Sequence, residues 1–457
     1  MSIISQVEIF HVRIPLDKPF YPSWIPGYPA TDNRFDLIRI TTDDGIQGYA
    51  AGPAIASERA GIGNLIAPYL IGHDATDIDL MLQRLREVGY LGVRANWIEP
   101  AFWDIKGKKA NKPVYQLLGG KNEPVALYAS TGEIKDRDSR IFEARQRLQE
   151  GFKTIKIRVH DFDVNTDIDH VRAVKDAVGE EMSIGVDANQ AWRVTIVNDA
   201  PLWDLDRAKY FSDACAEMGV AWLEEPLPMD DYDNLAKLTQ YSKIPITGGE
   251  IHTNGKAELK YMIEKKCYDI FQPDAVMTGG ISHTLEVAQH CKKHHLKFTP
   301  HTWTNGIGFA VNLHVLLASG FNGIKPLEYP LNPPSWTVEK RDGILRKPFF
   351  HDRGMLYPTH DPGLGFEIDE DKLKRYGTKT FSMNKRQLVF YTIKDKGLLT
   401  AFRLNSNKKK IRSGCPEKIS PEYLEVRFEK PGSGRAGWSG RPLYLHRQDQ
   451  QAHTTPI

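Results

Sequence analysis

From Val125 onward, short apolar runs recur with a regular beat. They are VALYAS (125–130), TIKIRV (154–159), MSIGVD (182–187), VAWLEE (220–225), IPITGGE (244–250), YDIFQPD (268–274), LKFTPH (296–301) and IKPLE (324–328). Between them lie helical stretches, such as Ile168, Val171, Val174 and Val178 at three- and four-residue spacing. Eight strand-like runs alternating with helices, at roughly 25–35 residues per unit, predict a (β/α)8 barrel. An open doubly wound sheet is the competing architecture, but no G-x-G-x-x-G follows the first run, and eight units exceed that fold's usual count.

What precedes the beat reads differently. Residues 3–14 and 35–41 alternate as strands, and Asp43, Asp44 and Gly45 form a hairpin-like turn. From about 57 to 118 the pattern turns helical, with Leu80, Leu82, Leu85 and Val88 on one stripe, and Ala95, Trp97, Ile98 and Phe102 on another. Strands followed by helices predict an α+β domain over 1–120, closed by the glycines of LLGG (117–120). The barrel is then expected over 121–328, with 329–377 packing back on the first domain.

The remainder, 378–457, is a basic extension. From Lys379 on there are 16 Lys+Arg against 6 Asp+Glu, a net charge of +10, although the whole chain carries only +2. QLVFYTI and LLTAFRL within it read as strands of a small β-unit or of a largely disordered tail. Its NKKKIR run (407–412) reads as a solvated face, so nucleic acid is not an expected partner.

The ends of the barrel runs carry the chemistry, because catalytic groups in this architecture sit where each strand feeds its loop. The second run offers Lys156 and Arg158, the third Asp187, the fourth Glu224, the fifth Glu250, the sixth Asp274, the seventh His301 and the eighth Glu328. Three carboxylates from consecutive strands repel unless a cation joins them. Asp187, Glu224 and Glu250 therefore read as ligands of a hard ion, Mg²⁺, one per subunit, with Glu225 as the alternative to Glu224. Lys156 and Arg158 are two apart, so both point inward toward carboxylates of the protein or of a substrate. Asp274 and His301 end neighbouring strands roughly 5 Å apart, and a carboxylate beside an imidazole raises its basicity for general acid–base work. Glu328 is placed to meet an oxygen of a bound carboxylate, or to pair with Lys156.

At these residues the chain resembles the enolase superfamily, of the mandelate racemase/muconate lactonizing type. The motifs that carry the resemblance are GFKTIKIR (151–158), VDANQAW (186–192), WLEEP (222–226), GGE (248–250), QPDAVMTGG (272–280), PHTW (300–303) and LEYP (327–330). It implies a modified (β/α)8 barrel under an α+β cap, Mg²⁺ on Asp187, Glu224 and Glu250, and a His301–Asp274 dyad. Such sites combine a Lys or His base with Mg²⁺ to stabilise an enediolate. Glu250 and the strand-six Asp274 resemble the mandelate racemase subgroup, where the second strand ends Lys-x-Lys. Here the second lysine is Arg158, which is always protonated and a poor base. Racemisation needs competent groups on both faces of the substrate, whereas dehydration can proceed with one. The expected reaction is therefore dehydration of an aldonate or aldarate to a 2-keto-3-deoxy acid, with a racemase or epimerase, or a non-catalytic regulatory relative, as alternatives.

Substrate selection is expected from the 15–33 loop, with Tyr21, Trp24 and Tyr28 as walls, together with Asn189, His252 and Trp303 beside the strand-end groups. The resemblance also implies a homo-oligomer. Four scattered cysteines, no signal-like start and no apolar span of membrane length lead to the expectation of a cytoplasmic protein with a small carboxylate substrate.

Overall fold

The computed structural model describes residues 1–407, apart from Ile55, Ser57, Ala60 and Thr253. Two sheets organise them. The first is antiparallel, built from β1 (Ile4–Phe20), β2 (Ala30–Thr42) and β3 (Gln47–Pro53). The helix Glu99–Ala110 lies on its β3 side, and Gly48 is the reason it can approach, since any Cβ there would run into the Ala101 carbonyl.

The second sheet is parallel. Its strands are β4 (Val125–Ser130), β5 (Thr154–Arg158), β6 (Ser183–Asp187), β7 (Trp222–Glu224), β8 (Ile246–Gly248), β9 (Ile270–Phe271), β10 (Lys297–Phe298) and β11 (Leu327–Pro330). They neighbour one another in chain order from β4 to β10, and β11 returns beside β4. Between β10 and β11 the contact is made beyond the strand, where the Thr302 hydroxyl donates to the Glu328 carbonyl at 2.8 Å. This is the barrel expected from the beat of the sequence, in the modified form that the resemblance implies. A short β12 (Met355–Leu356) adds to β4 in the antiparallel sense.

One helix, Gly306–Ser319, is apolar all round and buried from Gly306 to Leu317, as befits an element enclosed on every side. The segment after β11 runs back over the first domain, where the Leu364 amide donates to Asp104 (2.9 Å) and Arg39 reaches Glu370 (2.8 Å).

Three expectations need correction. The 15–33 segment is not an open loop but mainly the paired arms of a long hairpin. β1 continues to Phe20 and pairs Pro15 with Asp32 and Phe20 with Ala30, leaving 21–29 as the turn. The basic extension does not begin outside the fold, because β13 (Gly377–Asn384) is the edge strand beside β1. QLVFYTI and LLTAFRL lie in helices, Lys385–Lys396 and Leu398–Asn407. A capping box between Asn384 and Gln387 starts the first, and Gly397 stops it at a positive φ. These capping signals override the β-propensity of Val, Phe, Tyr and Ile. NKKKIR beyond Asn407, and Cys415, lie outside the described residues.

Candidate active site

The ladders bring the predicted strand ends into rows. Arg158 pairs with Asp187, Asp187 with Glu224 and Glu224 with Thr247, so one level of the barrel carries a cation and two carboxylates side by side. Immediately below, Lys156 stands opposite Gly185, and Gly185 opposite Trp222; a side chain at Gly185 would collide with that indole.

Lys156 is fully buried. Its ammonium lies 2.5 Å from Glu224 Oε1, 2.9 Å from Glu328 Oε1 and 3.2 Å from Asp187 Oδ2. Burial alone would lower its pKa, but Glu224 and Glu328 outweigh burial and raise it above the ordinary lysine range. Arg158 is ion-paired to Asp187 and donates from Nε to the Thr131 carbonyl at 2.8 Å. Its guanidinium lies 5.3 Å from the ring centres of both Trp24 and Trp303. It too is held protonated, burial being outweighed by Asp187 and Glu328.

His301 Nδ1 is 2.9 Å from Asp274 Oδ2, and Nε2 is 3.0 Å from Glu250 Oε2 and 3.5 Å from Glu328 Oε2. Burial works against the imidazolium, yet Glu250 and Glu328 carry the His301 pKa well above the usual range. Glu250 Oε1 in turn accepts from the Trp192 indole at 2.8 Å.

Six buried carboxyl groups (Asp187, Glu224, Glu225, Glu250, Asp274 and Glu328) thus share the site with buried Lys156, Arg158, Lys325 and His301. Burial and the proximity of Glu250, Asp187 and Glu224 push Glu225 well above the carboxylate range, and its Oε2 has no hydrogen-bond partner. Glu225 and Asn189 both hold left-handed backbone (φ 49° and 47°), a local strain characteristic of functional sites.

Above this level opens a cavity of about 680 Å³. Arg158, Asn189, Glu250, His301, Trp303 and Trp24 line it. Asp187, Glu224, Asp274, Glu328 and Lys156 sit beneath, at 1% exposure or less. The β1–β2 turn closes one side, as Ser23 donates to Asn189 Oδ1 at 2.6 Å. An aromatic pile of Phe20, Trp24, Trp303 and Trp336, with ring centres 5.4–6.1 Å apart, stiffens that wall. Tyr28 also lines the cavity.

Two expected walls are elsewhere. Tyr21 is half exposed and does not line the cavity; it opens the turn after β1, and its amide is anchored on Glu133. His252 is buried off the cavity, with Nδ1 3.1 Å from Glu258, whose pKa it draws down to about 2.

Two family models cover most of the described chain: "Mandelate racemase / muconate lactonizing enzyme, N-terminal domain" over residues 5–119, and "Enolase C-terminal domain-like" over 141–372. The chain belongs to the mandelate racemase/muconate lactonizing enzyme family. Within the family it is 29% identical to the D-galactarolactone cycloisomerase of Agrobacterium fabrum, over 82% of this chain and 98% of that protein. It is also 29% identical to the arabinonate dehydratase of Saccharolobus solfataricus, over 78% of this chain and 94% of that one. Among solved structures, the L-talarate/galactarate dehydratase of Salmonella typhimurium, liganded with Mg and L-lyxarohydroxamate, superposes with a TM-score of 0.73 at 26% identity, covering 84% and 94% of the two chains.

Several residues of the site escape a reading of the sequence. Trp192 carries a signal, since it closes the VDANQAW motif five residues after Asp187. Phe20 and Ser23 fall in the 15–33 segment and Trp336 in a distant one, and only the folded chain places Phe20 and Trp336 against Trp303 and Ser23 on Asn189. Lys325 is similar: an isolated lysine before the last strand, buried between Tyr128 and Trp222 with ring centres 4.4 and 4.2 Å away.

Proposed function

We propose that the protein is a magnesium-dependent acid-sugar dehydratase, converting an aldonate or aldarate to its 2-keto-3-deoxy acid. The observation that carries the reading is the asymmetry of proton-transfer groups. Among the described residues His301, oriented by Asp274, is the single imidazole lining the cavity, whereas Lys156 lies beneath the lining and Arg158 is a guanidinium, a poor base in any setting.

The excess of buried carboxyl groups and the unpartnered Glu225 oxygen fit a divalent cation at this level. Asp187, Glu224 and Glu250 would hold it; their oxygens are not all drawn within 4.8 Å of one another, and the Lys156 ammonium bridges Asp187 and Glu224. When bound, Mg²⁺ supplies positive charge to the substrate carboxylate and so offsets the charge that develops as the α-proton leaves. His301 Nε2, held toward the cavity by the Asp274 contact to Nδ1, takes that proton. The resulting imidazolium returns it to the 3-hydroxyl, which departs as water, and the enol then becomes the 2-keto acid. Arg158, in cation–π contact with two indoles, is placed to meet the substrate carboxylate, while Trp24 and Trp303 offer apolar faces to the sugar chain. The similarity to acid-sugar dehydratases supports the same reading.

An isomerase is the second reading, favoured by similarity to a cycloisomerase and to an N-succinyl-L-Arg/Lys racemase. Racemisation would require a second base from Lys156, which lies beneath the cavity lining, or from Arg158, a guanidinium. A panel of acid sugars incubated with the protein and Mg²⁺ in deuterated water separates the two. Dehydration yields 2-keto acid; deuterium exchange with no keto product would replace it by isomerisation.

A further inference from the structure

On the outside of the barrel, away from the cavity, the helices Lys256–Lys265 and Gly280–Lys293 lie against each other. Glu264 is in the last turn of the first. His290 is in the last turn of the second, and His294 follows as its C-cap, one helical turn further on. The i, i+4 spacing puts both imidazoles on one face, with ring centres 4.5 Å apart.

We propose that Glu264, His290 and His294 form a transition-metal site, taking Zn²⁺ with water as the fourth ligand. Their ligand atoms all lie within 4.8 Å of one another, and no other group of His, Cys, Asp or Glu among the described residues is drawn so close in threes. His290 Nε2 is 3.4 Å from Glu264 Oε1, yet it has no hydrogen-bond partner. That separation is poor for a hydrogen bond but equals the edge of a tetrahedron with metal–ligand bonds of about 2.0–2.1 Å.

Two further features favour a metal. Both histidines stand at a helix C-terminus, where the backbone carbonyls favour positive charge. The nearby Lys260 is engaged by Glu286 at 3.3 Å. Two nitrogen donors with one carboxylate suit Zn²⁺ and disfavour Mg²⁺, so the site would not compete for the ion proposed in the barrel. Bound metal would clasp two neighbouring helices of the outer ring. This holds whatever reaction the cavity performs.

The test is Zn²⁺ titration of the full chain in saturating Mg²⁺, followed by calorimetry and by the melting temperature. One equivalent should bind and raise the melting temperature by a few degrees. His290→Ala, His294→Ala and Glu264→Gln should each weaken binding more than about tenfold, since even groups outside the ligand shell cost that much. Co²⁺ should give the visible absorption of a four-coordinate site in the wild type and none in H290A/H294A. Any Zn²⁺ bound in the barrel would survive the double variant, so equal stoichiometry and affinity in wild type and H290A/H294A overturns the proposal.

Discussion

The Nδ1 atom of His301 lies 2.9 Å from Oδ2 of Asp274, and the other oxygen of that carboxylate is held by Asn312 Nδ2 (2.9 Å) and by the Val276 amide (2.9 Å). The imidazole is therefore fixed from behind, with Nε2 directed at Glu250 and the cavity. His301→Asn keeps a hydrogen-bonding amide where part of the ring stood and removes the titratable group. We expect kcat to fall by roughly 10²–10⁴ with the fold intact. Solvent deuterium should no longer enter the α-position, and wild-type exchange in the variant would remove His301 from the reaction.

Lys156 is the counter-ion of three carboxylates at once. Lys156→Met leaves Glu224, Glu328 and Asp187 buried with less compensation, at a cost of about 3–5 kcal/mol by analogy with broken buried pairs. If a divalent cation binds at the same level, Mg²⁺ should recover some of that loss. Urea unfolding with Mg²⁺ and with chelator measures both, and the Mg²⁺ increment should be larger in the variant than in the wild type.

Arg158 combines an ion pair to Asp187 with cation–π contacts to both Trp24 and Trp303, an arrangement that a compact ammonium cannot reproduce. Arg158→Lys should therefore raise KM for the acid substrate, and Trp24→Ala should do so by roughly tenfold on its own, if each face contributes about 1–2 kcal/mol. Steady-state kinetics on the best substrate of the panel checks both. A change in kcat alone would place Arg158 in the chemical step instead.

Glu99 gives a pH signature. It is fully buried in the helix Glu99–Ala110, accepts from the Ser282 amide (3.1 Å) and the Trp103 indole (3.0 Å), and burial lifts its pKa to about 7. In the unfolded chain it titrates near an ordinary glutamate. Its contribution is thus fully present at low pH and is lost as pH rises through about 7, because the unfolded state releases the proton first. Glu99→Gln should flatten that slope, so that the stability difference between variant and wild type shifts by on the order of 3 kcal/mol from pH 4 to 8. Denaturant curves at several pH values supply the measurement.

The β13 strand makes a prediction about chain length. It pairs with β1 from Gly377 to Asn384, and Phe381 packs over Gly63, where a side chain would collide with its ring. A chain ending at Tyr376 should lose several degrees of melting temperature relative to one ending at Asn384, since β1 becomes an exposed edge. Equal melting temperatures would make the strand dispensable.

The barrel and its row of ionisable strand ends are legible along the chain because both are local properties. Strand alternation decides which of Lys156, Ile157 and Arg158 face inward, and the beat of apolar runs sets how many strands there are. The two helices after Asn384 are obscured for a local reason as well: the Asn384–Gln387 capping box is present in the sequence, but the β-rich composition of QLVFYTI points the other way.

What the sequence determined by itself, then, was the family architecture and the set of side chains that meet at the barrel mouth. Only the tertiary structure decided their depth: Lys156, Asp187, Glu224 and Glu328 lie under the floor, while Arg158, Glu250 and His301 reach the cavity. It also decided the walls, sending Tyr21 outward, His252 to Glu258, and Phe20 and Trp336 against Trp303. The reason is physical. Periodicity along one strand specifies a direction, but depth and neighbours depend on how separate strands stagger and which distant segments close over them, and no local pattern encodes that.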